Sequence, residues 1–203
     1  MNSITSINSY SVIAPTQLVE TNKILNGDFT SPVVSDGNTN GFNPTQLTSI
    51  PNWVFSSLND AFVRIYNNLP ATTFNAPPNW NFVPVRTVLF VSQYNLNYPT
   101  IQTVTKNVSQ TINITSIKTY NVSVWAVNGK TNYNPAQNFR ILIDGTQVIS
   151  PISFTTVATT NWAKYTGTYT PSTTGNKVVT LEWNYTATNT NTSSIMVTDI
   201  IVL

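Results

Sequence analysis

The sequence contains no cysteine and no histidine, and only 8% of its 203 residues are charged, against a usual quarter. Each shortage removes a class of function. Without cysteine there are no disulfides and no thiolate chemistry. Without histidine the commonest general base is missing too. A glycosidase needs two carboxylates flanking one bond, and Glu182, on the polar face of its strand, has no acidic partner that spacing identifies. The few Lys and Arg are scattered and the net charge is +2, so the concentrated basic face that nucleic acid requires is absent. No apolar run is long enough to cross a bilayer as a helix. The opening Met-Asn-Ser-Ile-Thr-Ser lacks the basic start and apolar core of a signal peptide. The expectation is a non-enzyme, made without a signal peptide, that neither inserts in a membrane nor binds nucleic acid.

What replaces charge is Asn and Thr. With 40% apolar and 11% aromatic residues, the composition favours a packed core over disorder. Thr suits strands, and Asn suits turns and neutral hydrogen-bonding surface. The clearest element is Thr119 to Asn128, where Tyr120, Val122, Val124 and Ala126 share one face and Asn121, Ser123, Trp125 and Val127 the other. Such alternation marks a half-buried strand, and Asn128-Gly129 ends it with turn chemistry. Asn138 to Asp144 and Lys177 to Thr186 repeat the design. A sheet with one apolar face needs a second layer to cover it.

The rest of the chain reads as the source of that layer. Lys23 to Phe29 is a short strand closing on Asn26-Gly27. Ile50 to Phe55 and Ala61 to Tyr66 are further strands, followed by a long Pro- and Asn-rich connection to Pro84. Thr87 to Ser92 is a continuous apolar run suited to a central strand. Ile101 to Ile114 is one long bent strand or two short ones. Asp144-Gly145 signals a hairpin between Asn138–Asp144 and Thr146–Ile149. Trp162 to Thr170 and Ser194 to Leu203 complete the set. Strands about every ten residues, with no amphipathic helix between them, predict an antiparallel β-sandwich of jelly-roll type. Residues 1–22 form an extended N-terminal arm and 23–203 the jelly roll. The arm is either a loose terminus or a segment that docks on a neighbouring subunit through Val12, Ile13, Leu18 and Val19.

Several pieces in this order resemble one group of domains. They are Asn26-Gly27-Asp28-Phe29, Pro51-Asn52-Trp53, Val88 to Val91, Tyr120 to Val127, Ile141 to Gly145, Trp162 to Tyr165 and Val197 to Ile201. Together they are similar to the galactose-binding-like or carbohydrate-binding-module jelly roll, which also occurs in structural proteins of phages and giant DNA viruses. The resemblance spans Lys23 to Leu203. It implies a fold first and a ligand second. Many such modules place an acidic residue directly after the Asn-Gly-Asp-Phe element as part of a structural calcium site, and here that position is Thr30. Such modules also usually follow a signal peptide and accompany a catalytic domain, neither of which the sequence shows.

Candidate sites follow. Asp28 and Asp199 are the calcium candidates, since a jelly roll can bring the two ends of the chain together. Against this, hard cations need several oxygen ligands, and the alternative is that Asp28 caps a turn while Asp199 sits on a solvated strand face. The sequence favours that alternative and no cofactor. Trp125 is the best sugar platform, because it breaks a polar face, with Tyr133, Trp80 and Tyr98 as loop aromatics beside it. The competing readings are burial for Trp125 and a subunit interface for the others. Trp183 shares parity with Val179 and Leu181 and belongs to the core, as does Trp53. Five Asn-X-Ser/Thr patterns, at Asn107, Asn113, Asn121, Asn184 and Asn191, match the glycosylation acceptor, though chance supplies most of them in so Asn- and Thr-rich a chain. The expected function is a structural protein of a virion, a penton or minor capsid component meeting copies of itself and other capsid proteins. The alternative is a free-standing module that binds glycans through exposed aromatics.

Overall fold

The structure, a computed structural model, describes residues 20–29, 50–55, 61–66, 88–93, 102–128, 137–154, 162–187 and 193–203. Among them there is no helix, and eleven strands run in chain order. They are β1 (Val54–Phe55), β2 (Ala61–Tyr66), β3 (Val88–Gln93), β4 (Gln102–Ile114), β5 (Tyr120–Asn128) and β6 (Gln137–Ile143). There follow β7 (Thr146–Gln147), β8 (Ile152–Phe154), β9 (Ala163–Tyr169), β10 (Gly175–Ala187) and β11 (Ser193–Val202). They form two antiparallel sheets. The larger has the order β1-β4-β10-β6-β7, with β8 also paired to β6, and the smaller has the order β2-β3-β11-β5-β9. This is the antiparallel sandwich of jelly-roll type that the alternation predicts.

Both sheets turn their apolar faces inward. From the smaller sheet come Tyr120, Val122, Val124 and Ala126 of β5 and Ile195, Val197, Ile200 and Val202 of β11. From the larger come Val108, Ile112 and Ile114 of β4, Phe139, Ile141 and Ile143 of β6, and Val179, Leu181 and Trp183 of β10. Each fully buried aliphatic or aromatic side chain contributes about 1.5–3 kcal/mol of transfer free energy. The Tyr120 hydroxyl is satisfied locally, donating to the Ser116 carbonyl at 3.0 Å. The Lys118 ammonium lies 4.9 Å from the centroid of the Tyr120 ring, and Lys118 is itself paired with Glu20.

The predicted hairpin forms as the turn chemistry dictates. Asp144 and Gly145 take positive φ angles of 48° and 75°, and Ile143 pairs with Thr146 across them. Residues 102–114 make one continuous strand, paired with β10 along its whole length. β8 was not expected; its three residues follow Pro151 and are too few to show a period.

Lys23 to Phe29 differs from expectation. It is a turn-rich clamp and not a strand, because Asn26 and Phe29 both adopt positive φ, 52° and 55°. The clamp lies against both sheets. Toward β11, Lys23 N–H donates to the Val202 carbonyl at 2.9 Å and Ile200 N–H donates to the Gly27 carbonyl at 3.1 Å. The Asn22 side chain accepts from Val202 N–H at 2.9 Å and donates to the Ile200 carbonyl at 3.0 Å. Asn22, at the end of the expected arm, is thus bonded to the last strand. Toward β4, the buried Gln110 amide accepts from Leu25 N–H at 2.7 Å and donates to the carbonyls of Leu25 at 2.8 Å and Asn52 at 3.1 Å. Phe29 turns into the core against Trp53, ring centroids 5.6 Å apart. A Cβ on Gly27 would stand 2.4 Å from the Ile200 carbonyl oxygen, so only glycine permits this approach.

Two outcomes test this packing. Tyr120→Ala and Trp183→Ala should each cost about 3–5 kcal/mol, and Trp125→Ala, which empties a half-buried site, clearly less. Gln110→Ala should cost roughly 1–3 kcal/mol for each buried backbone group it leaves unpaired. Denaturant midpoints read both, and a near-neutral Gln110→Ala contradicts the clamp.

Candidate functional site

The outward face of the smaller sheet carries the predicted aromatic. Residues directly opposite in an antiparallel pair share a face, and Trp125 of β5 lies between Lys164 of β9 and Thr198 of β11. The next row toward the start of β5 pairs Ser123 with Thr166. Trp125 is half-buried and Lys164 and Thr166 are exposed, whereas Thr198 and Ser123 are buried. Met196, opposite Val127 on this same face, is fully buried and stands outside the main core cluster. The face is therefore not uniformly solvated: the Trp125 indole, the Lys164 ammonium and the Thr166 hydroxyl are grouped at its accessible part.

Just beyond Thr198 the ladder between β11 and β5 shifts register, and Asp199 sits in that irregularity with φ 50°. The clamp brings Asp28 near it, as the two ends of a jelly roll allow. Burial pushes the Asp199 carboxyl above its ordinary value, and the Asp28 charge adds to the rise while Lys164 opposes it. Asp199 is thus half-buried, which corrects its expected place on a solvated strand face. Asp28 is exposed in the turn of the clamp.

The described surroundings do not fit a calcium ion. A hard cation takes about six to eight oxygen ligands, and among the described residues no group of three or more metal-ligating side chains exists. The carbonyls that border the two aspartates are already engaged: Gly27 by Ile200 N–H, Ile200 by the Asn22 amide, and Asn26 by Phe29 N–H and the Trp53 indole. Among the described residues, two carboxylates alone supply too few ligands for such a cage, and their charges repel each other. Thr30, like Trp80, Tyr98, Tyr133, Val12, Ile13, Leu18 and Val19, lies outside the described residues.

A second charged cluster was not singled out in the sequence. At the β6–β7 hairpin, Asp144 accepts from Val178 N–H at 2.8 Å and lies 3.2 Å from the Lys177 ammonium. The hydrogen bond from Val178 lowers the Asp144 carboxyl below its ordinary value, and Lys177 reinforces the effect. On the larger sheet Arg140 donates to Glu182 at 2.7 Å. The register of the hairpin and of β10 sets both pairs, and the only sequence signal for them was the Asp-Gly turn.

No protein-family model and no curated protein matches the sequence. Solved structures do match. A cyclase from Fischerella sp. TAU superposes with a TM-score of 0.57 at 13% identity, over 91% of this chain and 97% of that one. The carbohydrate-binding module TmCBM61, in complex with β-1,4-galactotriose, gives 0.49 at 11% identity, over 91% and 99%. The enzymatically active domain of tailspike protein 4 from bacteriophage CBA120 gives 0.46 at 14% identity, over 89% of this chain and 21% of that one. The chain spans about a fifth of that tailspike domain. At 13% identity the cyclase shows a shared fold alone.

The two aspartates predict opposite pH dependences. Asp199, raised from 3.8, protonates in the folded state before it does in the unfolded chain, so its penalty at neutral pH is relieved as pH falls through the raised value toward 3.8. Asp144, lowered from 3.8, contributes stability that is full above 3.8 and lost as pH falls through its depressed value. Asp199→Asn should therefore melt higher than the native protein at pH ~7, by an advantage that shrinks toward pH ~4. Asn also tolerates the positive φ. Added calcium should leave the melting temperature unchanged. A destabilised Asp199→Asn, or a calcium-dependent rise in melting temperature, contradicts this account.

Proposed function

We propose that the chain is a non-enzymatic structural protein of a virion, a jelly-roll penton or minor capsid component that meets copies of itself and other capsid proteins. The observation that carries this reading is the treatment of charge on the described surface. Arg140 with Glu182, Lys177 with Asp144 and Lys118 with Glu20 are each internally paired. Between them the outward positions of β4 and β10 are neutral hydrogen-bonding residues such as Thr105, Asn107, Thr111, Asn113, Asn176 and Thr180. A repeating assembly needs flanks that meet identical flanks without like-charge repulsion, and closed symmetry then repeats one contact around a ring. The absence of His and Cys supports the non-enzymatic half of the reading.

A second reading is favoured by Trp125. A half-exposed indole beside Lys164 and the Thr166 hydroxyl offers an apolar plate with polar neighbours, the makings of a sugar-binding surface. On that reading the protein is a free-standing glycan-binding module.

The solution mass of the full chain, compared with a form lacking residues 1–19, separates the two. Glu20 and Asn22 bond to the body, so the cut is placed before them. Assembly predicts a truncated protein with an unchanged melting temperature and a loss of higher-order species, as an arm bearing Val12, Ile13, Leu18 and Val19 would supply at about 25 cal/mol per Å² buried. The glycan reading predicts no effect of truncation and, on a glycan array, binding that Trp125→Ala abolishes. A monomeric full-length protein with measurable glycan affinity overturns the assembly proposal.

A further inference from the structure

The clamp turns on an Asn-Gly pair, the most reactive setting for an asparagine side chain. Glycine has no side chain to shield its own amide nitrogen, and asparagine is a thermolabile residue. In a loose chain the nitrogen of the glycine therefore attacks the carboxamide of the asparagine before it. In the closed clamp the groups beside the Asn26–Gly27 peptide are held. The Asn26 carbonyl accepts from Phe29 N–H and from the Trp53 indole, both at 3.2 Å. The Asn26 amide donates to the Pro51 carbonyl at 3.3 Å. The Gly27 carbonyl accepts from Ile200 N–H at 3.1 Å. Gly27 itself is buried, with Ile24 and the Ile200 carbonyl packed where a Cβ would stand. Asn26 has a φ of 52°, and the left-handed ψ that ordinarily goes with it sets the next nitrogen away from the side chain. Ring closure needs that nitrogen turned toward the side chain, which swings the Asn26 carbonyl off Phe29 and Trp53.

We propose that Asn26-Gly27 is a site of spontaneous deamidation, held unreactive by the closed clamp, and that conversion to isoaspartate there locks the clamp open. The step goes beyond both readings of function and needs no reactant but water. The Gly27 amide nitrogen bonds to the Asn26 side-chain carbonyl carbon, and the bond from that carbon to Nδ2 breaks. Ammonia leaves, carrying the proton of the Gly27 amide. Water then opens the succinimide at either carbonyl, giving aspartate or isoaspartate. In isoaspartate the main chain runs through the former side chain, and the former Asn26 carbonyl becomes a carboxylate branch. A methylene has entered the backbone, displacing Gly27 by about 1.5 Å. Gly27 is the position at which Ile24 and Ile200 leave no spare room. The bond from Ile200 to Gly27 and the bonds from Phe29 and Trp53 to residue 26 then no longer fit one backbone path. Aspartate keeps that path, so only isoaspartate acts as the lock. Because the reaction proceeds from the open clamp, its rate is scaled by the fraction of molecules that are open there.

Peptide mapping by mass spectrometry tests the site. The full chain is held in mildly alkaline buffer, folded or unfolded in urea, and the mass gained as amide becomes acid is followed at residue 26. Asn40-Gly41 and Asn128-Gly129 calibrate the rate in the unfolded chain. In urea Asn26 should convert as fast as those two, and in the folded protein about tenfold more slowly or less. Gln110→Ala and Asn22→Ala, which each remove bonds of the clamp, should speed the folded-state conversion severalfold. The isoaspartate form, purified by ion exchange, should lose amide-exchange protection at Lys23, Ile200 and Val202, the donors across the clamp. β4 and β10 should stay protected, and Asn26→Asp, which adds the charge without the methylene, should keep Ile200 protected. If a clamp variant fails to fold, the isoaspartate form made from the native chain still decides. Folded-state conversion as fast as in urea overturns the proposal. So does an isoaspartate form that keeps Ile200 protected, or an equal loss of that protection in Asn26→Asp.

Discussion

Two side-chain amides hold the sandwich shut. β3 pairs with β11 only through Val197, while β11 runs on to Val202. The last residues of β11 therefore have β5 on one side and need a partner on the other. The chain supplies the bent segment from Asn22 to Phe29 on that side. Such a segment cannot present an unbroken ladder. The Asn22 and Gln110 side chains each offer an amide donor and acceptor, and they take the place of peptide groups that the bend turns away. Gln110 does this at 4% exposure, where an unpaired amide is costly. Its inward position is therefore stabilising only while the clamp is bonded to it.

This closure joins the two ends of the chain. Asn22 meets Ile200 and Val202 across almost the whole sequence, and Leu203 exchanges two backbone hydrogen bonds with Asn121. Contacts so distant in sequence pay their loop-closure entropy before any reward arrives. β4, β10 and β6 can form first as the more regular sheet, and the clamp can lock only after β11 is placed. The strain gathers in the same place. Asp199 takes a positive φ and a half-buried carboxyl beside Asp28, and the register shift around it gives Ile200 and Val202 their inward direction.

The alternation of β5, β6 and β10 was legible because each buries one face and turns polar side chains outward, so period two survives in the sequence. Asp144-Gly145 was legible because so few residues accept two successive positive φ angles. Trp125 was legible as an intruder on a polar face, and its half-burial agrees with that place. The clamp was not legible. Ile24, Leu25 and Phe29 read as strand residues, yet Leu25 is exposed and Phe29 buried by a turn whose positive φ at Phe29 no local preference announces. Gln110 and Lys106 are both buried at inward positions of β4, where polar side chains interrupt the alternation. The neighbourhood of Asp28 and Asp199 followed from the fold, but the burial of Asp199 depended on a register shift that alternation cannot show.

The two outward faces then differ for a structural reason. On the smaller sheet the register shift and the clamp interrupt the pleat, and what remains accessible is a local group: Trp125, Lys164 and Thr166. A surface of that kind suits a small ligand that one indole can cover. On the larger sheet thirteen consecutive pairs join β4 and β10, and the outward side chains from Thr105 to Asn113 and from Asn176 to Asn184 repeat at the spacing of the pleat. A chain with so little charge keeps its copies apart weakly, since net charge is what ordinarily resists association. Shape and hydrogen-bond satisfaction are then left to decide what either face meets.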